Sequence, residues 1–479
     1  MEWFTAEDYT LARLVFQRAL GAVYLVAFLV ALNQFRALLG DRGLLSITTF
    51  LEGTSFRRAP SIFHWHYSDR FFTVVAVTGA VLAAATVLGV TDRLPLPVAM
   101  LIWLVLWALY LSIVNVGQRW YSFGWESLLL EAGFIAIFLG NSSVAPPLPV
   151  LIALRWLLFR LEFGAGLIKL RGDACWRDLT CLYYHHETQP MPGPFSWYFH
   201  RLPKPLHRVE VAANHVTQLV VPFGLFLPQP VAGTCAAIMI VTQLWLVISG
   251  NFAWLNWLAI VLALPILPDA VWRVLLPGLS VDLHADAPIW WVLTGCALAG
   301  LVAALSWQPV QNMLSRAQAM NASFNAWHLV NTYGAFGSVT RDRFEIVIEG
   351  THDAAGESGW QEYEFRGKPG DPHRRPRQFA PYHLRLDWLM WFAALSPAYA
   401  QPWFTRLVSR LLEGDRHTLR LLRHNPFPDA PPVLLRARMF RYRFTTWEER
   451  RRDGTWWHRE PTGEFMRPVT SADVPQTGI

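Results

Sequence analysis

The stretch Arg171–Phe199, RGDACWRDLTCLYYHHETQPMPGPFSWYF, gathers the residue types that can do chemistry. His185, His186 and Glu187 are consecutive, and a histidine beside a carboxylate is the arrangement of a general base, with Glu162 upstream as a further candidate. The same residues also suit a hydrogen-bonded loop at a water–lipid border. Cys175 and Cys181 stand six positions apart, which is neither a redox Cys-x-x-Cys nor a zinc-finger spacing. Three readings stay open for them: a disulfide in an oxidising compartment, two buried thiols, or part of a metal set with His185 and His186. The spacing fits no known finger, so neither a metal nor a cofactor is expected. Pro190, Pro192 and Pro194 fix the backbone and predict a stiff, extended strap that ends on the aromatic run Trp197, Tyr198 and Phe199. A nucleotide loop, a Gly-x-Ser-x-Gly elbow and a His-Glu-x-x-His helix are all missing from the sequence.

A polar stretch of this kind cannot lie open in hydrocarbon, so the flanking elements must hold it at a membrane surface or around a polar cavity. Those elements are strongly apolar. Hydrophobic residues make up 53% of the 479-residue chain and charged residues 16%, against roughly 25% in soluble proteins. This identifies an integral membrane protein. Apolar runs fall at Leu14–Leu38, Phe71–Val90, Pro97–Val116, Leu128–Leu139, Leu148–Leu170, Val211–Leu227, Val231–Ile248, Trp254–Leu267 and Pro288–Trp307. The fourth reaches spanning length only if it starts near Tyr121. The expectation is a polytopic α-helical membrane bundle of about eight or nine spans over residues 1–320, with residues 171–210 as its central loop. A small C-terminal α+β extramembrane domain is expected over residues 321–479. Within it, Val339–Glu349 and Trp360–Gly367 alternate as a hairpin would, Leu384–Leu395 is a short apolar helix, and Val433–Phe444 returns through an Asp453-Gly454 turn.

The fifth run carries Arg155, Glu162 and Lys169 at intervals of seven, nearly one helix face. Charges facing lipid are costly, so the stripe is expected to face protein or a wet cavity. Glu126 and Glu131 on the preceding run are expected to join the same interior, while Arg160 sits off the stripe. This polar network serves either helix packing or a substrate cavity.

The formal net charge of +6 suggests anionic lipid contact rather than nucleic acid, since no nucleic-acid signature accompanies it. Arg42, Arg57, Arg58, Arg70, Arg171 and Arg177 cluster in the loops after the first and fifth runs, and positive-inside logic places those loops and the C-terminal domain in the cytoplasm.

The central stretch resembles the most distinctive segment of the lipase maturation factor family. NHVTQLVVPFGLFL (Asn214–Leu227), ISGNFAWLNWL (Ile248–Leu258), NTYGAFGSVTRDRFEIVIEG (Asn331–Gly350), WQEYEFRGKPGDPHRRPRQFAPYHLRLDWLMWFAAL (Trp360–Leu395) and HNPFPDAPP (His424–Pro432) are similar as well. The resemblance covers nearly the whole chain. It implies a membrane-embedded factor, not an enzyme, that helps exported or secreted proteins such as lipases to fold and assemble. In eukaryotic relatives that membrane is the endoplasmic reticulum; in a bacterium it would be the inner membrane. It also implies that the C-terminal domain faces away from the cytoplasm, against the loop charges. Trp176, Gln189, Trp197, Tyr198, Arg385 and Trp388 are then the candidates for gripping a client. The membrane half is distantly similar to the membrane domain of the vitamin K-dependent γ-carboxylase, through YSFGWESLLLEAGF (Tyr121–Phe134), but no carboxylase catalytic lysine maps onto this chain. The alternatives are a membrane enzyme using His185, His186 and Glu187 on a lipid or polypeptide, and a transporter built around the charged fifth run.

Overall fold

A computed structural model describes residues 3–279 and 287–474. In chain order the main helices are α1 (Thr10–Leu38), α2 (Asp69–Val87), α3 (Leu96–Val116), α4 (Gly124–Ala136), α5 (Leu148–Arg171), α6 (Leu182–Thr188), α7 (Lys204–Leu219), α8 (Val231–Ser249), α9 (Leu255–Ala263) and α10 (Ile289–Leu305). A C-terminal unit follows with α11 (Arg385–Leu395), α12 (Trp403–Leu412), α13 (Trp447–Asp453) and four strands.

At its heart lies α1, whose 29 residues extend about 44 Å, more than the roughly 30 Å of a hydrocarbon core. It packs along α2, where Phe35 stacks on Phe72 at 4.3 Å between ring centroids. The approach is close because Gly79 has no side chain: a Cβ there would come within 2.3 Å of the Phe28 ring. By contrast α8 and α10 turn apolar side chains such as Val241, Leu244 and Leu293 outward, as lipid-facing helices do.

Among the described residues five helices are long and apolar enough to cross a membrane, or six if one bent pair counts as a span. That is fewer than the expected eight or nine: the fifth run, α5, is long enough at 24 residues but too charged, and the fourth, sixth and eighth are interrupted. The fourth run does not extend back to Tyr121. A 3-10 turn at Gln118–Tyr121 and an extended Phe123 start α4 only at Gly124. Its 13 residues cover about 20 Å, short of the hydrocarbon thickness. The Val211–Leu227 run is also not one helix. The helix there, α7, begins earlier, at Lys204, and a 3-10 stretch containing Pro222 follows it. In the eighth run α9 gives way to a 3-10 turn at Leu264–Ile266, and the next helix leaves at 114°.

The C-terminal unit holds an antiparallel sheet of β1 (Arg343–Thr351), β2 (Gln361–Glu362), β3 (Leu434–Phe444) and β4 (Trp457–Val469), in the order β2-β1-β3-β4. The expected hairpin is present, with its second strand cut to two residues. The expected return of Val433–Phe444 is present as β3 paired with β4, but the Asp453-Gly454 pair closes a helix within that connection. Thr446 and Glu449 form a capping box that starts α13, and Gly454 takes the left-handed conformation that ends it.

The two halves share one hydrophobic core. The apolar stretch expected at Leu384–Leu395 is the buried helix α11, and its Trp388 packs edge-on against Trp125 of α4 at 4.9 Å. The residues expected to form one polar network, Glu126, Glu131, Arg155, Glu162 and Lys169, fall into separate groups instead. Glu162 accepts from Gln218 at 3.1 Å and Gln243 at 2.6 Å. Lys169 donates to Gln218 at 2.8 Å and Asn214 at 2.9 Å, so Gln218 bridges the two charges. Arg155 turns away to the Leu225 carbonyl and the Tyr9 hydroxyl. Glu131 pairs with Arg160, the residue placed off the stripe, and also accepts from Tyr333 at 2.8 Å. Glu126 pairs with Arg385 of the C-terminal unit. These carboxylates are buried and hydrogen-bonded, as buried charges must be.

Candidate functional site

The central segment occupies the ends of two helices. It leaves α5 at Arg171 and docks on the last turn of α8, where the Ser249 carbonyl accepts from Gln189 at 3.0 Å and from the Ser196 hydroxyl at 2.7 Å. Asp173 starts a short helix, Ala174–Arg177, by accepting the Cys175 backbone N–H at 3.0 Å. The two Arg341 donors hold the Asp173 carboxyl down at about 2. Cys175 and Cys181 are joined by a disulfide, with their Cα atoms 4.7 Å apart. The thiolate-containing metal set with His185 and His186 is therefore excluded, because a disulfide offers no thiolate.

The second half of the segment is clamped by the sheet. Arg343, fully buried on β1, donates to the backbone carbonyls of Glu187, Gln189 and Pro190. The Trp197 indole donates to the Thr445 carbonyl at 2.9 Å. Arg201 donates to the carbonyls of Phe444 and Thr445 at 2.8 Å and 2.7 Å. After α8, Asn251 reaches the carbonyls of Pro192 and Arg377 and accepts the backbone N–H groups of Phe379 and Ala380. Strap, helix end and Arg-rich loop are thus knotted together. The prolines do not form a free lip.

This packing separates the proposed base from its carboxylate. Glu187 accepts the Phe444 backbone N–H at 2.5 Å and lies 3.6 Å from His200, facing neither His185 nor His186. Burial raises the Glu187 carboxyl, and burial lowers His185 to about 4 and His186 well below its ordinary range. The His185 ring sits against Phe336 and Phe252. Glu162 belongs to the glutamine network described above. The four candidates for acid–base work do not converge.

Of the client-contact candidates, Trp176, Gln189, Trp197, Arg385 and Trp388 are buried. Trp176, Gln189 and Trp197 hold the segment in place, Trp176 by donating to the Phe336 carbonyl at 2.8 Å, whereas Arg385 and Trp388 pack the C-terminal unit on α4. Tyr198 is 38% exposed. Beside it Trp447 of α13 is 49% exposed, 6.2 Å away between centroids, and Phe195 is 48% exposed. The sequence reading missed Trp447, which sits at the start of an ordinary charged helix and becomes conspicuous only when the sheet brings it against the strap. Next to this aromatic rim lies an open hollow of about 720 Å³, lined by Pro194 and Phe195 from the strap and by Arg374, Arg375, Arg377 and Arg423. The Arg375 guanidinium donates to the Pro194 carbonyl at 3.1 Å and lies 5.2 Å from the Trp456 ring.

Apolar helices fused to a sheet-bearing C-terminal unit through this segment define an integral membrane protein with an internal docking hub. Residues 11–274 match the lipase maturation factor transmembrane domain, and residues 329–467 match the lipase maturation factor C-terminal domain. Over 98% of its length the chain is 41% identical to lipase maturation factor 1 of Bos taurus, covering 91% of that protein. It is 40% identical to lipase maturation factor 1 of Homo sapiens, across 97% of this chain and 89% of the relative. With lipase maturation factor 2 of Rattus norvegicus it shares 29% identity, over 96% of the chain and 83% of the relative. The chain belongs to the lipase maturation factor family. No solved structure matches it.

Proposed function

We propose that this protein is a maturation factor for an exported client, a lipase by analogy with the relatives' names, and that it works without catalysing a reaction of its own. The observation that carries this reading is the exposed aromatic trio Phe195, Tyr198 and Trp447, which meets the arginine-lined hollow at Phe195. Exposed aromatic side chains beside arginine are the residue types that dominate protein–protein contacts. The buried bonds beneath them keep the rim rigid, which lowers the entropy cost of holding a partly folded chain.

The Cys175–Cys181 disulfide supports an orientation in which the central segment and the C-terminal domain lie outside the membrane on its oxidising side, because disulfides persist there and are rare in reducing cytosol. This favours the family's topology over the loop charges, which are weak guides where loops are long.

The test is complementation. Cells lacking the protein should lose the activity of at least one exported lipase while its synthesis continues. The wild-type chain should restore that activity, and a Tyr198→Ala, Trp447→Ala double variant present in equal amount should not. Unchanged activity of every exported lipase in the deletion strain would overturn the proposal.

A further inference from the structure

His186 on α6 and His207 on α7 are both buried, and none of their four ring nitrogens has a hydrogen-bond partner among the described residues. A neutral imidazole carries one donor and one acceptor, so each ring leaves both unsatisfied. Buried polar atoms in native proteins are almost always paired, and two adjacent orphaned rings call for a missing partner. The rings face each other with centroids 5.6 Å apart. No hydrogen bond joins His207 to the carboxylate one helical turn away, since its Nδ1 lies 3.9 Å from Glu210 Oε2.

One imidazole nitrogen from His186, one from His207 and a carboxylate oxygen of Glu210 all lie within 4.8 Å of one another. Ligands bound at about 2.0–2.1 Å around a tetrahedral ion stand ~3.4 Å apart, so small side-chain movements close the set. His207 and Glu210 share one face of α7 at a spacing of three, and His186 approaches from a different element. The other carboxylate oxygen of Glu210 accepts the Trp245 indole N–H at 2.6 Å. That outer bond orients the carboxylate, as outer partners do around protein metals.

We propose that His186, His207 and Glu210 form a binding site for one divalent transition metal, and that the ion staples the central segment to α7. Two imidazoles and a carboxylate suit zinc, with the fourth position open to water. The site is independent of Cys175 and Cys181, whose sulfurs are tied up in the disulfide. It is also independent of the aromatic rim, so the client reading and the metal reading can fail separately.

The test uses the full-length protein purified in detergent, stripped with a chelator and titrated with Zn²⁺, with Co²⁺ as a spectroscopic stand-in. The wild-type protein should take up one Zn²⁺ per chain, and Co²⁺ should give the visible absorption of a four-coordinate nitrogen–oxygen site. Glu210→Gln should weaken binding at least tenfold, and the His186→Gln, His207→Gln double variant should abolish it. His185→Gln should bind as the wild type does. A well-folded wild-type protein that takes up no Zn²⁺, or a metal lost in His185→Gln and kept in the double variant, would overturn the proposal. Should the double variant not fold, the wild-type Co²⁺ spectrum and the Glu210→Gln titration decide. An octahedral spectrum, or binding that Glu210→Gln leaves unchanged, counts against the site.

Discussion

Glu126 of α4 and Arg385 at the start of α11 meet at 2.8 Å with both side chains fully buried, and so tie the helical half to the C-terminal domain. The Tyr110 hydroxyl also donates to Glu126, and the Arg385 guanidinium lies 3.5 Å over the Tyr121 ring. Removing one member leaves the other charge stranded in the core. Glu126→Ala should therefore cost about 3–5 kcal/mol. Thermal unfolding in detergent should show a large drop in midpoint, and a Glu126→Gln, Arg385→Met pair should recover part of it. An unchanged midpoint for Glu126→Ala would mean that the pair does not join the halves.

Arg343 plays the corresponding part for the strap. Its guanidinium pairs with Glu345 at 2.6 Å and donates to the carbonyls of Glu187, Gln189 and Pro190, where the helix α6 runs into the strap. Arg343→Met should loosen residues 186–196 and leave α4 untouched. Hydrogen exchange in that segment should quicken about tenfold or more, equivalent to about 1.4 kcal/mol of lost local protection. Equal exchange in variant and wild type would show that other contacts suffice.

Acid should weaken the fold. Burial holds His328 at about 4 and His383 at about 3, below the ordinary 6.5. Below about pH 6.5 the unfolded chain takes up protons at these positions that the folded chain refuses, so stability falls as pH falls towards 4. The unfolding midpoint in detergent should drop steadily from about pH 7 to about pH 5, and replacing His328 with Gln should flatten part of the slope. A midpoint that rises over that range contradicts the assignment.

The orientation makes a labelling prediction. With Cys175 and Cys181 joined, a membrane-impermeant maleimide should fail to label either in intact cells until a reductant is added, and should then react from the outside. Labelling without reductant, or only after the cells are opened, would reverse the topology.

Much of this fold is legible in the sequence because hydrophobic run length and strand alternation are local. Val231–Ile248 reads as a helix of spanning length and is one. The Asp-Gly pair at 453–454 misleads, since the same left-handed glycine closes a hairpin or a helix, and the Thr446–Glu449 box before it decides for the helix. The charged stripe is half legible. Its spacing places Glu162 and Lys169 on one face, but Gln218 and Gln243, the residues that satisfy Glu162, lie on helices whose approach no local pattern encodes. Trp197 and Tyr198 are neighbours of like character, and the distant residues Thr445, Trp447 and Trp456 close over Trp197. His207 and Glu210 carry no local signal for the same reason: their neighbour His186 arrives through the tertiary fold.

Locked by the sheet, the strap should show its aromatic rim to an exported client. Photocrosslinking from position 198 in native membranes, with position 241 on lipid-facing α8 as the control, tests it most directly. A covalent adduct with an exported protein is expected from position 198, and lipid adducts alone from position 241. Lipid adducts alone from both positions would contradict it.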